Sequence, residues 1–223
     1  MAGSWSSGVL NSYVSPRFMD FRTAVIPDFT DRFPEAPHWM VNFFLNSVLR
    51  ARYKPGIQQA VLGYLRRSHH AFTAYHDARR QTLTFLEGHN PHNPKLRAYY
   101  DTVAAWEAFA LQTSMALDLS RWINKGDGAF KKNDGSKEQR LYSMANQVKH
   151  VGKCIESGQC TEEDTLPLWL SNAGLESFGI RVTYSEAAEI LADVATLADR
   201  LQDPLGLREP DNETSEVSEQ GSA

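Results

Sequence analysis

The most informative stretch of this sequence is Arg140-Leu-Tyr-Ser-Met-Ala145-Asn146-Gln-Val-Lys149-His150. Its apolar residues recur at steps of three and four, which is the spacing of one face of an α-helix. The spacing continues beyond residue 150 and predicts a single amphipathic helix from about Ser136, a favourable N-cap residue, to Glu156. The core face of this helix is predicted to consist of Leu141, Met144, Ala145, Val148, Val151 and Ile155.

A second face of the same helix is polar and carries the candidate site. Asn146 and His150 are one turn apart, and Lys149 and Lys153 lie beside them. An amide, an imidazole and two ammonium groups so placed can meet one anionic ligand. In the competing interpretation, Asn146 and His150 only satisfy backbone groups of neighbouring loops, and the lysines are solvated.

Four further helices are predicted from the rest of the chain. Residues 37–53 are apolar nearly all round, which is typical of a buried helix. Residues 57–86 and 95–123 show helical periodicity on either side of a turn at 88–94, so they predict an antiparallel helical hairpin. A final helix is expected from Ser185 to the proline at position 204.

Strand composition is confined to the region before this last helix. Residues 166–175 and 178–184 are rich in β-branched, leucine and aromatic residues, with turn residues between them, and predict a small β-hairpin. The expected fold class is therefore all-α: a bundle of about five helices with one inserted hairpin. We expect an irregular N-terminal arm at 1–36, one helical domain at 37–203 and a disordered acidic tail at 204–223.

Charge, cysteine spacing and the pattern of apolar residues limit the classes of protein to which this chain can belong. The chain has 223 residues and a formal net charge of -4, and residues 209–223 hold five acidic residues and no Lys or Arg. Its two cysteines, Cys154 and Cys160, match no zinc spacing. The sequence shows no signal-peptide pattern and no membrane-length apolar run, so we expect a cytoplasmic protein without membrane contact.

A segment of the second predicted helix and the turn after it is rich in histidine. Metal binding is one interpretation, but metal-binding bundles also place carboxylates at helical spacing beside their histidines, and that pattern is missing here. The other candidate is a basic stripe that follows a phosphate backbone, and the commoner alternative to both is a solvated polar face. The histidines are His69, His70, His76, His89 and His92, and the stripe is Arg66, His69, Thr73, His76 and Arg80.

Around Ala145-Asn146-Gln-Val-Lys149-His150 the chain resembles the HEPN superfamily of prokaryotic helical-bundle proteins. The hallmark of that superfamily is an arginine, usually a polar residue next, and a histidine a few positions later on one helix. Asn146 matches the polar position and His150 the histidine, but Ala145 stands where the family has arginine. By architecture the resemblance covers roughly residues 56–202.

The resemblance implies a protein that binds RNA or a protein partner in bacterial stress or defence, without metal or cofactor. If the chain is an enzyme, it implies a metal-independent endoribonuclease with His150 as general acid or base, and histidine has a suitable intrinsic pKa. Asn146 and Lys149 would complete the catalytic set, and Lys153 and Arg140 would contact the phosphate. The family also implies a homodimer through the helix with Asn146 and His150. The alternative is a non-catalytic interaction module, such as an immunity or antitoxin-like partner.

Overall fold

The computed structural model of the chain describes residues 6–90, 93–158, 160 and 165–205. Within these residues the protein is mainly α-helical, with a small antiparallel sheet. No helix among them is long and apolar enough to cross a bilayer. His92 and the expected acidic tail, apart from its first two residues, lie outside the described residues.

Two short helices precede two long ones, two further short helices follow, and the described elements end in a sheet and a helix. The helices are α1 (Ser7–Tyr13), α2 (Trp39–Leu49), α3 (Ile57–Glu87), α4 (Leu96–Ile123), α5 (Lys137–Lys149), α6 (Val151–Glu156) and α7 (Tyr184–Leu201). The strands are β1 (Trp169–Leu170), β2 (Gly174–Ser177) and β3 (Ile180–Thr183), and a 3-10 turn spans Phe18–Asp20.

The helices α3 and α4 form the predicted antiparallel hairpin and pack against each other through buried aromatic side chains. Trp106 of α4 donates from its indole nitrogen to the Thr82 hydroxyl of α3 at 2.9 Å, so the buried polar atom of this large side chain is satisfied. The Tyr75 ring packs edge-on against both Trp106 and Phe109, with centroids 5.6 and 5.4 Å away. The observed bounds agree with the predicted ones to within a residue.

The N-terminal arm is part of this core. Phe18 and Phe21 are fully buried and contact the rings of Phe85 and Tyr99, with Phe21 stacked on Phe85 at 5.9 Å. The arm is less irregular than expected, because α1 begins in it with Ser6 as a side-chain N-cap.

The prediction that the helix in residues 37–53 is buried all round was wrong. Trp39 and Phe43 of α2 are buried, but the opposite side of the helix is exposed. The reason is the position of α2, which packs against α3 and α7 and is covered by them on one side. Its exposed side chains are Val41, Phe44, Leu45, Val48 and Leu49.

The predicted single helix at 136–156 is divided into α5 and α6 at His150. The backbone of His150 has φ -124° and ψ 35°, outside the helical region, and Gly152 disfavours helical continuation. The break changes the phase of the apolar stripe. Cys154 is buried in α6, whereas Val151 and Ile155, expected in the core, are 37% and 64% exposed.

The sheet has three strands in the order β1-β2-β3, so the predicted two-stranded hairpin is only part of it. The segment expected to form one strand at 166–175 turns at 171–173 and supplies both β1 and the start of β2. Gly174 is required there, because a Cβ at this position would collide with the Val182 carbonyl oxygen. The N-cap of α7 is Thr183 instead of Ser185, and it forms a capping box with Glu186.

Replacing Phe18 tests whether the arm belongs to the cooperative core. We expect Phe18→Ala to lower the free energy of unfolding by about 3–5 kcal/mol, because it leaves a cavity among packed aromatic rings. Urea denaturation followed by circular dichroism measures the change. Tyr13→Ala, at a side chain that is 77% exposed in the same arm, should change stability by no more than about 0.5 kcal/mol. Equal effects of the two substitutions would contradict a core role for the arm.

Candidate functional site

A cleft of about 600 Å³ lies between the C-terminal end of α4, the loop at 124–135 and one face of α5. The contribution of α5 follows from helical spacing, because residues at steps of three and four share a face. These residues are Gln139, Tyr142, Ser143 and Asn146. The opposite face of α5 carries the buried residues Leu141, Met144 and Ala145. Burial of that apolar face therefore turns Asn146 toward the cleft.

The loop at 124–135 is held at both ends by hydrogen bonds. At its start the Gly126 amide donates to the Arg121 carbonyl at 2.7 Å. At its end the Asp134 carboxylate accepts from the Ser136 hydroxyl at 2.7 Å and from the Lys131 amide at 2.7 Å. Ser136 is also the N-cap of α5, as predicted, and its hydroxyl accepts a hydrogen bond from the backbone amide of Gln139 at 3.2 Å. The loop is thereby tied to the first turn of α5.

Three cations line the cleft: Arg121 from α4, and Lys131 and Lys132 from the loop. In the part of the chain that the structure describes, no ion pair includes any of the three. One lining residue, Asp127, is acidic. The three unpaired cations outnumber the carboxylate among the lining residues, a charge balance that suits an anionic ligand.

Two aromatic rings also face the cleft. The rings of Phe130 and Tyr142 have centroids 5.1 Å apart and are tilted by 48°. The Tyr142 hydroxyl donates to a carboxylate oxygen of Asp118 at 3.4 Å. Partial burial and the nearby Asp118 raise the pKa of Tyr142, so its hydroxyl keeps its proton over the physiological range. The cleft thus combines cations, a hydroxyl, amides and aromatic faces.

The structure separates the predicted site residues. Asn146 lines the cleft, but His150, Lys149 and Lys153 do not. These three are exposed on the last turn of α5, at the break and on α6. By the helical period, Lys149 and His150 project within about 60° of the direction of Asn146, one turn farther along the helix. No hydrogen bond or ion pair among the described residues involves the His150 side chain.

Arg140 has a different environment from the one expected for a phosphate ligand. Its guanidinium donates to the Glu186 carboxylate, to the Gly135 carbonyl at 2.6 Å and to the Arg181 carbonyl at 3.0 Å. These partners belong to α7, the loop before α5 and β3, so Arg140 joins three parts of the chain. Arg140 does not line the cleft.

The histidine-rich face of α3 is partly covered by the N-terminal arm. His69 Nδ1 lies 3.1 Å from the Ala36 carbonyl oxygen, and Arg79 both donates to the Ile26 carbonyl at 3.1 Å and pairs with Asp28 at 3.0 Å. Arg80 pairs with Asp77 on its own helix. No group of three or more potential metal ligands occurs within the described ranges. His69 of the stripe and the neighbouring Arg79 therefore attach the arm to α3.

The cations of the cleft were not among the predicted site residues. The available signal was the glycine-rich segment 125–135 with two adjacent lysines, which leads directly into the polar face of α5. Comparisons with family models, curated proteins and solved structures find no match to this chain. The geometry of the cleft is therefore the basis for a functional proposal.

Replacing Glu186 tests the attachment of α5. Burial alone would raise the pKa of Glu186, but hydrogen bonds from Thr183 and Arg140 outweigh it and hold the pKa below the usual glutamate value. Because its pKa is lower in the folded state, the ionised Glu186 stabilises the fold at pH values above the ordinary pKa of glutamate, which is about 4.3. We expect Glu186→Gln to cost about 1–2 kcal/mol at neutral pH, since the charge-assisted bond to Arg140 is lost.

The stability difference between wild type and Glu186→Gln should shrink as the pH falls below about 4.3 and through the folded-state pKa. Denaturation at a series of pH values measures it. Glu87→Gln, at an exposed acid without an ion pair among the described residues, should leave the stability and its pH dependence unchanged. A penalty for Glu186→Gln that stays constant down to low pH would contradict the role of its charge.

Proposed function

We propose that this protein binds single-stranded RNA in the cleft beside α5, in the manner of a HEPN-like protein that acts in bacterial stress or defence. One observation carries the proposal: Arg121, Lys131 and Lys132 are unpaired among the described residues and line the same cleft as the rings of Phe130 and Tyr142. Proteins that hold single strands combine cations for the backbone with aromatic faces for the bases.

The chemistry of each group suits a part of an RNA strand. Arg121 offers a planar fork that can hold a phosphate through two hydrogen bonds, and the two lysines add point charges. Binding releases counterions from the strand, which favours association at low salt. The Asn146 amide and the Ser143 hydroxyl can hydrogen-bond base edges or a 2′-hydroxyl. The side-chain nitrogen of Gln139 already donates to the Ser143 hydroxyl at 2.8 Å. The side-chain oxygen of Gln139 stays available as an acceptor.

A protein partner is the alternative ligand for the same surface. An acidic peptide would also satisfy the three cations of the cleft, and a non-catalytic interaction module would use them in that way. The pair of aromatic rings beside amides favours RNA, because bases offer both flat faces for stacking and edges for hydrogen bonds. The aromatic pair is thus the feature that separates the two ligand classes.

Cleavage is a second and separate proposal, which depends on His150. Its imidazole is exposed and has no hydrogen-bond partner among the described residues, so it is available as a general acid or base. Lys149 and Lys153 are exposed beside it and can contribute charge. Ala145 is 1% exposed, however, so the position of the family's arginine faces the core. Our primary proposal is therefore binding without efficient cleavage.

Charge reversal in the loop tests binding. We expect Lys132→Glu to weaken binding of a fluorescent single-stranded RNA by about tenfold at low salt, because one phosphate contact is replaced by repulsion. The dependence of log affinity on log salt should become shallower by about 0.7 per lost contact. Fluorescence anisotropy over a salt series measures both quantities.

Arg66→Glu is the matched control for Lys132→Glu. It makes the same change of charge on the exposed side of α3, within the other predicted basic stripe. RNA affinity should be unaffected by it. If Arg66→Glu weakened RNA binding and Lys132→Glu did not, the ligand would follow α3 and the cleft proposal would be refuted. If neither variant nor wild type bound RNA, while an acidic peptide bound in a Lys132-dependent way, the protein-partner alternative would replace it.

Cleavage is tested with purified RNA in EDTA, which removes metal-dependent nucleases. On the binding proposal, wild type leaves the RNA intact over long incubation and His150→Ala binds it with unchanged affinity. Metal-independent cleavage by wild type that disappears in His150→Ala would establish the enzymatic alternative. The exposed position of His150 makes this substitution neutral for folding, which circular dichroism verifies.

A further inference from the structure

The helix α2 presents an apolar stripe to solvent. Five side chains form this stripe and recur at steps of three and four, which is the period of a helix face that packs against another helix. They are Val41 at 56% exposure, Phe44 at 63%, Leu45 at 45%, Val48 at 57% and Leu49 at 75%. No residue of α2 is charged. A contiguous exposed apolar surface of this kind marks an interaction site in a folded protein.

The stripe is held in place by contacts on the other side of α2. Trp39 donates to Asp199 of α7 at 2.5 Å, and Asn42 and Asn46 donate to the Gln202 side chain and carbonyl at 2.9 and 3.1 Å. A partner therefore meets a fixed helix and does not have to order it, which lowers the entropic cost of association.

Charges of opposite sign flank the two ends of the stripe. Asp31 and Glu35 are exposed before α2, and Arg52 and Lys54 are exposed after it. No ion pair within the described residues includes any of these four. The neighbouring cations are already engaged: Arg50 pairs with Asp203, and Arg32 lies over the rings of Phe29 and Phe33.

This polarity makes the surface complementary to itself. If a second copy lies antiparallel on α2, the acidic end of each copy meets the basic end of the other. Positions 35 and 54 are equally far along the sequence from the midpoint between Phe44 and Leu45. The chain after α2 turns back beside the helix, where Tyr53 stacks on Phe43. A two-fold axis near Phe44 and Leu45 therefore brings the acidic flank of each copy toward the basic flank of the other, and an isologous contact of this kind closes into a dimer.

We propose that α2 is the contact surface for a second copy of this chain, with the two helices antiparallel and Phe44 and Leu45 at the centre. This contact is independent of RNA binding and uses a different helix from the one the HEPN resemblance implies. The C-terminal segment 206–223 is a poor occupant by composition. Leu207 and Val217 are its only large apolar residues, and five of its residues are acidic.

The oligomeric state in solution tests the proposal. Sedimentation velocity of the full chain over a wide concentration range should show a monomer–dimer equilibrium. Phe44→Glu should raise the dimer dissociation constant by more than about 30-fold, because it places two buried carboxylates at the centre of the contact. Val48→Glu, one turn away, should act in the same direction. Val25→Glu, at a side chain that is 90% exposed outside α2, should leave association unchanged.

Opposed charge changes test the antiparallel arrangement. Glu35→Lys and Lys54→Glu should each weaken the homodimer by about two- to fivefold, the range for exposed ion pairs. When the two variants are mixed, they should form a heterodimer preferentially, because the reversed charges match across it. Unchanged melting temperatures would show that the monomer fold is intact.

Several results would overturn the proposal. A wild type that is monomeric at every concentration excludes the dimer. A Phe44→Glu protein that still dimerises as well as wild type excludes α2 as the contact. Dimerisation that appears only after residues 206–223 are removed would assign the stripe to that segment. Failure of the mixed charge variants to prefer each other excludes the antiparallel arrangement.

Discussion

The contact between Arg140 and Glu186 fastens α5, which forms one wall of the cleft, to α7. Arg140 projects from α5 and reaches α7 through Glu186, β3 through the Arg181 carbonyl and the end of the adjacent loop through the Gly135 carbonyl. Glu186 in turn caps α7 through the Thr183 amide at 2.9 Å. One guanidinium therefore fixes the last turn of the loop, the first half of α5 and the start of α7 relative to each other. The cleft depends on this arrangement, because that loop and α5 form two of its three walls.

The division of α5 into two faces explains why residue 145 is a small apolar residue. Leu141, Met144 and Ala145 are at most 1% exposed, so the core controls the orientation of the helix about its axis. With Ala145 inside, an arginine at this position would have to bury a guanidinium without a partner, at a large desolvation cost. Asn146, one residue on, faces the cleft instead. The cations of the cleft come from α4 and the loop, and they line the same cleft as Asn146.

Sequence periodicity predicted the bounds of the helices whose buried face is continuous. It did not predict features that depend on which other elements cover a helix. The long apolar repeats of α3 and α4 gave correct bounds, because each repeat is satisfied by the other helix. For α2, composition showed how much of the helix is apolar but not that α3 and α7 cover only one side. The break at His150 leaves the apolar spacing of the sequence unchanged, so periodicity could not reveal it. The cleft cations were missed because periodicity does not describe an irregular loop, whose backbone, with positive φ at Lys125 and Asn133, is set by local hydrogen bonds.

The structure places the cleft, the apolar stripe of α2 and His150 in three different parts of the molecule. The motif alone would assign ligand binding, self-association and acid–base chemistry to one helix. The cleft is built from α4, α5 and their connecting loop, whereas the apolar stripe lies on α2, which packs on α3 and α7. The proposed ligand binding and the proposed self-association thus involve different helices, and a substitution in one surface leaves the residues of the other in place. His150 belongs to neither surface. A strand held beside Asn146 must continue along α5 for about 5.4 Å, one helical turn, before a phosphate can meet that imidazole. Binding in the cleft is therefore possible without the acid–base chemistry that cleavage requires.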